Sequence, residues 1–193
     1  MATIRTGNKC ALLVLDMQEG ILANAWRRES VIAHVAQLVV QARESGAPVV
    51  WIQHHDEELA RDSDAWQWVR ELQPSPEERT FHKSANSAFE QTDLDAELGR
   101  LDISHIVLAG AMSNWCIRAT AHGALDRGYD LTLVKDAHTT EDLKLAEDRV
   151  LAARDIVDEL NTAIHWLAYP GRSNTSKATS AIDFGKLALP QAS

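Results

Sequence analysis

Ile106–Gly128, IVLAGAMSNWCIRATAHGALDRG, is the stretch on which the reading of the fold turns. Ile106, Val107, Leu108 and Ala109 form a short apolar run suited to a strand buried on both faces. Gly110 ends that run and permits a tight backbone. Ser113 or Asn114 then suits an N-cap, and Trp115 to Asp126 reads as a helix closed by Gly128. Cys116 thereby falls in the first turn of a helix that follows a buried strand. Backbone N–H groups and the positive helix end stabilise a thiolate there and can lower a thiol below its free value of about 8.5. The same N–H groups can bind a developing oxyanion. The competing reading is a buried thiol that packs as a small apolar residue. Residues elsewhere in the chain must decide.

On the N-terminal side, Cys10–Leu15 (CALLVL) is another continuous apolar run, stopped by Asp16. Ser30 to Ser45 carries Ile32, Val35, Leu38, Val39 and Ala42 on one helical face, and Gly46 and Pro48 close it. Val49–Gln53 (VVWIQ) is a second buried strand and leads into His54, His55 and Asp56. Adjacent histidines on an extended chain point to opposite sides, so the spacing suits a metal poorly, and no HExxH or CxxC pair supports one. The better expectation is one imidazole turned into the site and the other hydrogen-bonded or exposed. Residues 57–79 are irregular, with a short helix expected at Ala65–Leu72; Trp66 and Trp68 either wall a pocket or cover core. Thr80–Lys83 is a short strand, and Asp93 caps a helix that ends at Gly99.

On the C-terminal side, Tyr129–Val134 reads as a fifth strand. Leu143, Ala146, Val150, Ala153 and Val157 recur at near-helical spacing and predict an amphipathic helix from Thr140 to around Leu160. A last strand is expected near Ala178–Phe184. Strands alternating with helices imply a mostly parallel sheet covered on both faces. The 193 residues suit one domain, 1–193. A net charge of −9 without any basic run argues against nucleic acid or an anionic membrane as partner. Two cysteines make no disulfide framework, and the N-terminus lacks the apolar core of a signal peptide, so a cytoplasmic protein is expected.

Asp16, Lys83 and Cys116 share one property: each lies at or just beyond the C-terminal end of an expected strand, the edge where doubly wound sheets assemble sites. An ammonium beside Cys116 favours its thiolate, and an aspartate can hold the lysine and exchange protons.

At these residues the chain resembles the isochorismatase-like cysteine hydrolase superfamily, which includes nicotinamidases and N-carbamoylsarcosine amidohydrolase. Four motifs carry the resemblance in order: ALLVLDMQ at Ala11–Gln18, K-x-x-x-S-A-F-x-x-T-x-L at Lys83–Leu94, G-A-M-S-N-W-C-I-x-x-T-A at Gly110–Ala121, and RGYDLTLVKDA at Arg127–Ala137. The resemblance implies a three-layer α/β sandwich with a six-stranded, mostly parallel doubly wound sheet, and frequent homo-oligomers, dimer or tetramer. It identifies Asp16, Lys83 and Cys116 as an Asp–Lys–Cys triad. It also implies a cis peptide at Ala111–Met112, and an oxyanion hole made by the Met112 and Cys116 amides. Gln18, Trp26, His54, Trp66 and Trp115 are candidates for binding a small-molecule substrate. The order His54-His55-Asp56 departs from the D-x-H metal motif that nicotinamidases resemble, so no metal and no cofactor are expected. The expected activity is hydrolysis of a linear amide or ureido C–N bond through a thioester. Its rivals are vinyl-ether cleavage using Asp16 without covalent catalysis, and a non-catalytic or redox-responsive ligand-binding protein on the same fold.

Overall fold

The computed structural model describes residues 4–187. Six strands make one sheet: β1 (Lys9–Leu15), β2 (Val49–His54), β3 (Arg79–Lys83), β4 (Ile103–Ala111), β5 (Asp130–Thr139) and, further along the chain, Asn174–Lys177. Their order is β3-β2-β1-β4-β5 with Asn174–Lys177 outermost, and every neighbouring pair is parallel. β1 and β4 are central, which is why their sequences read as unbroken apolar runs. Alternate side chains serve opposite faces. Leu12 and Val14 join one core with Trp51, Val107 and Ala109, whereas Ala11, Leu13 and Leu15 join a second with Ile52, Ile106 and Leu108.

The first core is roofed by α2 (Arg28–Ser45), which follows the short α1 (Glu19–Leu22) and buries Val31, Ile32, Val35, Leu38, Val39 and Ala42. The second is roofed by α3 (Leu94–Arg100), α4 (Arg118–Asp126) and α5 (Ala153–Trp166). The result is the expected three-layer sandwich, with the sheet parallel throughout.

Several local expectations are corrected. The helix expected from Thr140 is instead a two-stranded antiparallel hairpin, β6 (Leu143–Ala146) and β7 (Arg149–Leu151), and α5 begins only at Ala153. Leu145 and Val150 are 48% and 59% exposed, so the apolar spacing of this segment did not mark a core face. α5 has its own stripe, Ile156, Leu160 and Ile164 four residues apart, and the Asp142 carboxylate accepts from the Ala153 N–H at its start. The last strand, β8, is Asn174–Lys177 rather than 178–184. It is a polar edge strand, while the apolar Ile182 and Phe184 pack into the first core beside α6 (Phe184–Leu187). The region expected as a helix at Ala65–Leu72 holds only a single turn, Asp64–Trp66.

Candidate active site

Two backbone features set the edge at the C-terminal ends of β1 and β4. Gly110 has φ of +127°, and a Cβ there would lie 2.0 Å from the Leu15 carbonyl oxygen, so β4 can pass β1 at this point only as glycine. Asp16 follows immediately in the left-handed region, with φ of 51°. Asp tolerates that conformation better than most residues, and here it stands directly after the buried strand. The Asp16 N–H is held by the Ile52 carbonyl at 2.8 Å.

β4 ends at Ala111, and the Ala111–Met112 peptide is cis. Next comes a single wide, π-type turn, Ser113–Ile117, which runs straight into α4. This corrects the expected N-cap. Neither Ser113 nor Asn114 caps the helix; Met112 occupies the cap position, and its carbonyl accepts from the N–H groups of Trp115 and Ile117 at 3.1 Å each. The Ser113 hydroxyl pairs instead with His138 Nδ1 (2.8 Å), and Asn114 Oδ1 accepts from Thr140 Oγ1 (2.6 Å). Both residues thus tie the turn to the end of β5.

Lys83, at the end of β3, is placed by its strand and by the anchoring of residues 87–89 just beyond it. The Ala88 N–H donates to Thr120 Oγ1 on α4 at 2.9 Å, and Gly123 lies close against Ser87 and Phe89. The Ser87–Phe89 segment is therefore clamped onto α4, which explains physically why those small residues accompany the lysine.

The three strand-end residues converge. Lys83 Nζ lies 2.8 Å from Asp16 Oδ2 and donates to Cys116 Sγ at 3.1 Å. The side chains of Asp16 and Lys83 are wholly buried, and Cys116 is 7% exposed. Asp16 Oδ1 has no hydrogen-bond partner among the described residues. A buried carboxylate oxygen left open in this way is suited to a proton or a water. Burial pulls the Lys83 ammonium down, but the Asp16 charge and the contacts with Asp16 and Cys116 outweigh it and the net shift is upward. Cys116 departs from expectation. Burial, reinforced by the Asp16 charge, pushes its thiol up to about 12 despite Lys83. The Cys116 sulfur is thus pulled two ways, raised by burial and Asp16 and lowered by Lys83.

The other candidates separate. Gln18 is buried and spends its amide on the backbone: Nε2 donates to the carbonyls of His54 (3.0 Å) and Trp66 (2.9 Å), and Oε1 accepts from the His54 N–H (2.8 Å). His54 turns inward, with Nδ1 3.2 Å from Lys83 Nζ. His55 turns the other way, and its Nε2 lies 2.8 Å from Arg61 Nη2. With one imidazole facing an ammonium and the other a guanidinium, the pair does not fit a metal. Among the described residues, no three His, Cys, Asp or Glu side chains are grouped to hold one. Trp66 places its ring 5.5 Å from that of His82, and its indole N–H is buried without a partner among the described residues. Trp26 lines a surface cavity with Asn24, Glu141, Asp142 and Ala153 that does not include the cluster. Trp115 is 49% exposed. The link between Ser113 and His138 went unread in the sequence, because twenty-five residues separate two ordinary polar side chains.

Comparison with known proteins bears on this site. The chain is 31% identical over 177 residues to a streptothricin hydrolase of Streptomyces noursei, covering 83% of this chain and 70% of that protein. For a second streptothricin hydrolase of that organism, also 31% identical, the chain spans about half the length (52%) while 72% of this chain is covered. A ureidoacrylate amidohydrolase of Cronobacter sakazakii is 25% identical, over 66% of this chain and 73% of its own length. Among solved structures, an isochorismatase from Pseudomonas putida superposes with a TM-score of 0.80 at 26% identity, covering 91% of this chain and 90% of that one. The isochorismatase domain family matches residues 10–163, a span that holds all three converging side chains. By fold and by sequence, this chain belongs to the isochorismatase family of hydrolases.

Proposed function

We propose that the protein is a cysteine hydrolase that cleaves a linear amide or ureido C–N bond of a small molecule through a thioester, with Asp16, Lys83 and Cys116 as its catalytic residues. The observation that carries this reading is the buried contact of one thiol, one ammonium and one carboxylate. Amidohydrolase activity among the relatives supports it.

Because burial and Asp16 raise the Cys116 thiol against the pull of Lys83, its deprotonation is coupled to attack. Asp16 accepts the Cys116 proton as Sγ bonds to the carbonyl carbon. The oxyanion is taken by the Met112 and Cys116 N–H groups. Asp16 then gives the proton to the leaving nitrogen, the C–N bond breaks, and a thioester remains. Asp16 next takes a proton from water, hydroxide adds to the thioester carbonyl, and the C–S bond breaks. The proton returns to sulfur. Throughout, Lys83 holds its charge against both partners.

The test is amine or ammonia release from a panel of linear amides and ureido compounds, with acid-quenched protein weighed by mass spectrometry. An acyl adduct on Cys116 is expected. Turnover of a vinyl ether without any adduct overturns the reading, as does failure to turn over the whole panel while metabolites bind tightly.

A further inference from the structure

Three groups surround the Lys83 ammonium: it donates to Cys116 Sγ at 3.1 Å, lies in hydrogen-bond contact with His54 Nδ1 at 3.2 Å, and is ion-paired with Asp16 Oδ2 at 2.8 Å. An ammonium has donors only, so His54 Nδ1 must be a bare lone pair and the ring proton must sit on Nε2. That proton has a matching acceptor, Asp56 Oδ2, at 3.1 Å. Asp56 is itself fixed, since its Oδ1 accepts from the N–H groups of Glu58 (2.9 Å) and Leu59 (2.7 Å).

The main chain of His54 is held as tightly as its ring. Gln18 brackets it, accepting from its N–H and donating to its carbonyl, and Gln18 is itself buried two residues after Asp16. A row of hydrogen bonds thus runs from the Glu58 and Leu59 amides through Asp56 and His54 to Lys83. Each member determines the orientation of the next.

We propose that His54, oriented by Asp56, is a positioning residue for Lys83: it accepts one hydrogen of the ammonium and so holds the charge against Cys116 Sγ and its ion-pair partner Asp16. Without that acceptor, the ammonium can rotate and spend a hydrogen on water, loosening its contact with the sulfur. His54 touches none of the reacting atoms and acts only through Lys83. The inference rests on the reading that Lys83 serves Cys116, but its test needs no substrate.

The readout is the rate of Cys116 alkylation by iodoacetamide in the full chain, with modification at Cys10 and Cys116 resolved by mass spectrometry. His54→Asn puts an amide oxygen near the place of Nδ1 and is expected to alkylate within about 3-fold of the parent. His54→Leu has similar bulk and no acceptor, and is expected to be slower by roughly 10-fold. Asp56→Asn presents an N–H to Nε2, favours the opposite tautomer and aims a ring N–H at Lys83, so it should match His54→Leu. A merely structural role predicts instead that His54→Asn and His54→Leu behave alike. Equal rates in those two variants overturn the proposal. So does a ¹⁵N spectrum of the unaltered protein that shows the His54 proton on Nδ1, a measurement independent of whether any variant folds. If the amide panel fails while these rates separate as expected, the positioning role stands and only the substrate reading falls.

Discussion

Cys10 and Cys116 stand at opposite ends of the two central strands. Cys10 sits where β1 begins, paired with His105 near the start of β4, whereas Cys116 follows the far end of β4. Both are free and both are buried, at 1% and 7% exposure. Burial raises both thiols, Cys10 to about 11 and Cys116 to about 12. By acidity alone, Cys116 is the less reactive of the two. What separates them is company. Cys10 Sγ donates to the Phe184 carbonyl at 3.4 Å, a neutral contact from the opposite end of the chain. Cys116 has an ammonium on its sulfur and a carboxylate beyond it. If Cys116 is the nucleophile, as proposed, the proton acceptor and the charge within its reach are what distinguish it from Cys10.

The largest way to break this comparison is to delete each sulfur. Cys116→Ala should lower turnover by at least about 1,000-fold, as loss of a nucleophile does, while Cys10→Ala should retain turnover within a few-fold. Steady-state rates on a substrate from the amide panel decide it. A dead Cys10→Ala with an active Cys116→Ala would reverse the assignment. A smaller effect sharpens it. Lys83→Met keeps the stem but removes the charge that pulls the Cys116 thiol down, so alkylation of Cys116 should slow by about 10- to 100-fold and that of Cys10 should not change. Lys83→Arg should rescue poorly, because a planar guanidinium spreads its donors over a wider fork and cannot place one compact charge against Asp16, Cys116 and His54 at these distances. Unchanged rates at Cys116 in both variants would remove Lys83 from the mechanism.

The same contrast shows what could be read in the sequence. Strands buried on both faces announce themselves as apolar runs, so β1, β2 and β4 were legible, and with them the strand ends that carry Asp16 and Cys116. β8 was not, because an edge strand of Asn, Thr, Ser and Lys has no such signal. The hairpin at 143–151 failed for the opposite reason: its leucines and valines imitate a helix stripe while facing solvent. In the site, the acidity of Cys116 was misjudged because desolvation depends on packing that no spacing reveals. Gln18 lay beside the right residues, but its amide is committed to the backbone of His54. That one of the two imidazoles turns inward was legible from the alternation of an extended chain; that it is His54, and that it meets Lys83, was not, because this depends on β2 and β3 being neighbours, with His54 paired to Lys83 in register.

The smallest expected effect concerns stability and tests the Cys10 half of the comparison. A thiol whose pKa is higher folded than unfolded keeps its proton in the native state after the unfolded chain has lost it. Stability conferred by that difference is complete below the unfolded value and drains away as pH rises toward the folded one. For Cys10 the window runs from the ordinary value of 9.0 to about 11. Each pH unit inside it costs about 1.4 kcal/mol. Cys116 contributes over a similar window, but there Asp16 and Lys83 change with it, so its deletion does not isolate one group. Cys10 has no charged partner in its contact with Phe184, so Cys10→Ala removes a single titration cleanly. The variant should lose about 1 kcal/mol at pH 8 through the vacated volume. Between pH 8 and pH 10 it should then recover about 1 kcal/mol relative to the parent, since it no longer suffers the drain. Urea unfolding of both proteins at pH 8, 9 and 10 measures that difference directly. A gap between variant and parent that stays constant across the three values would mean that the Cys10 thiol titrates normally in the folded chain, and a raised thiol pKa would no longer be a property that the two cysteines share.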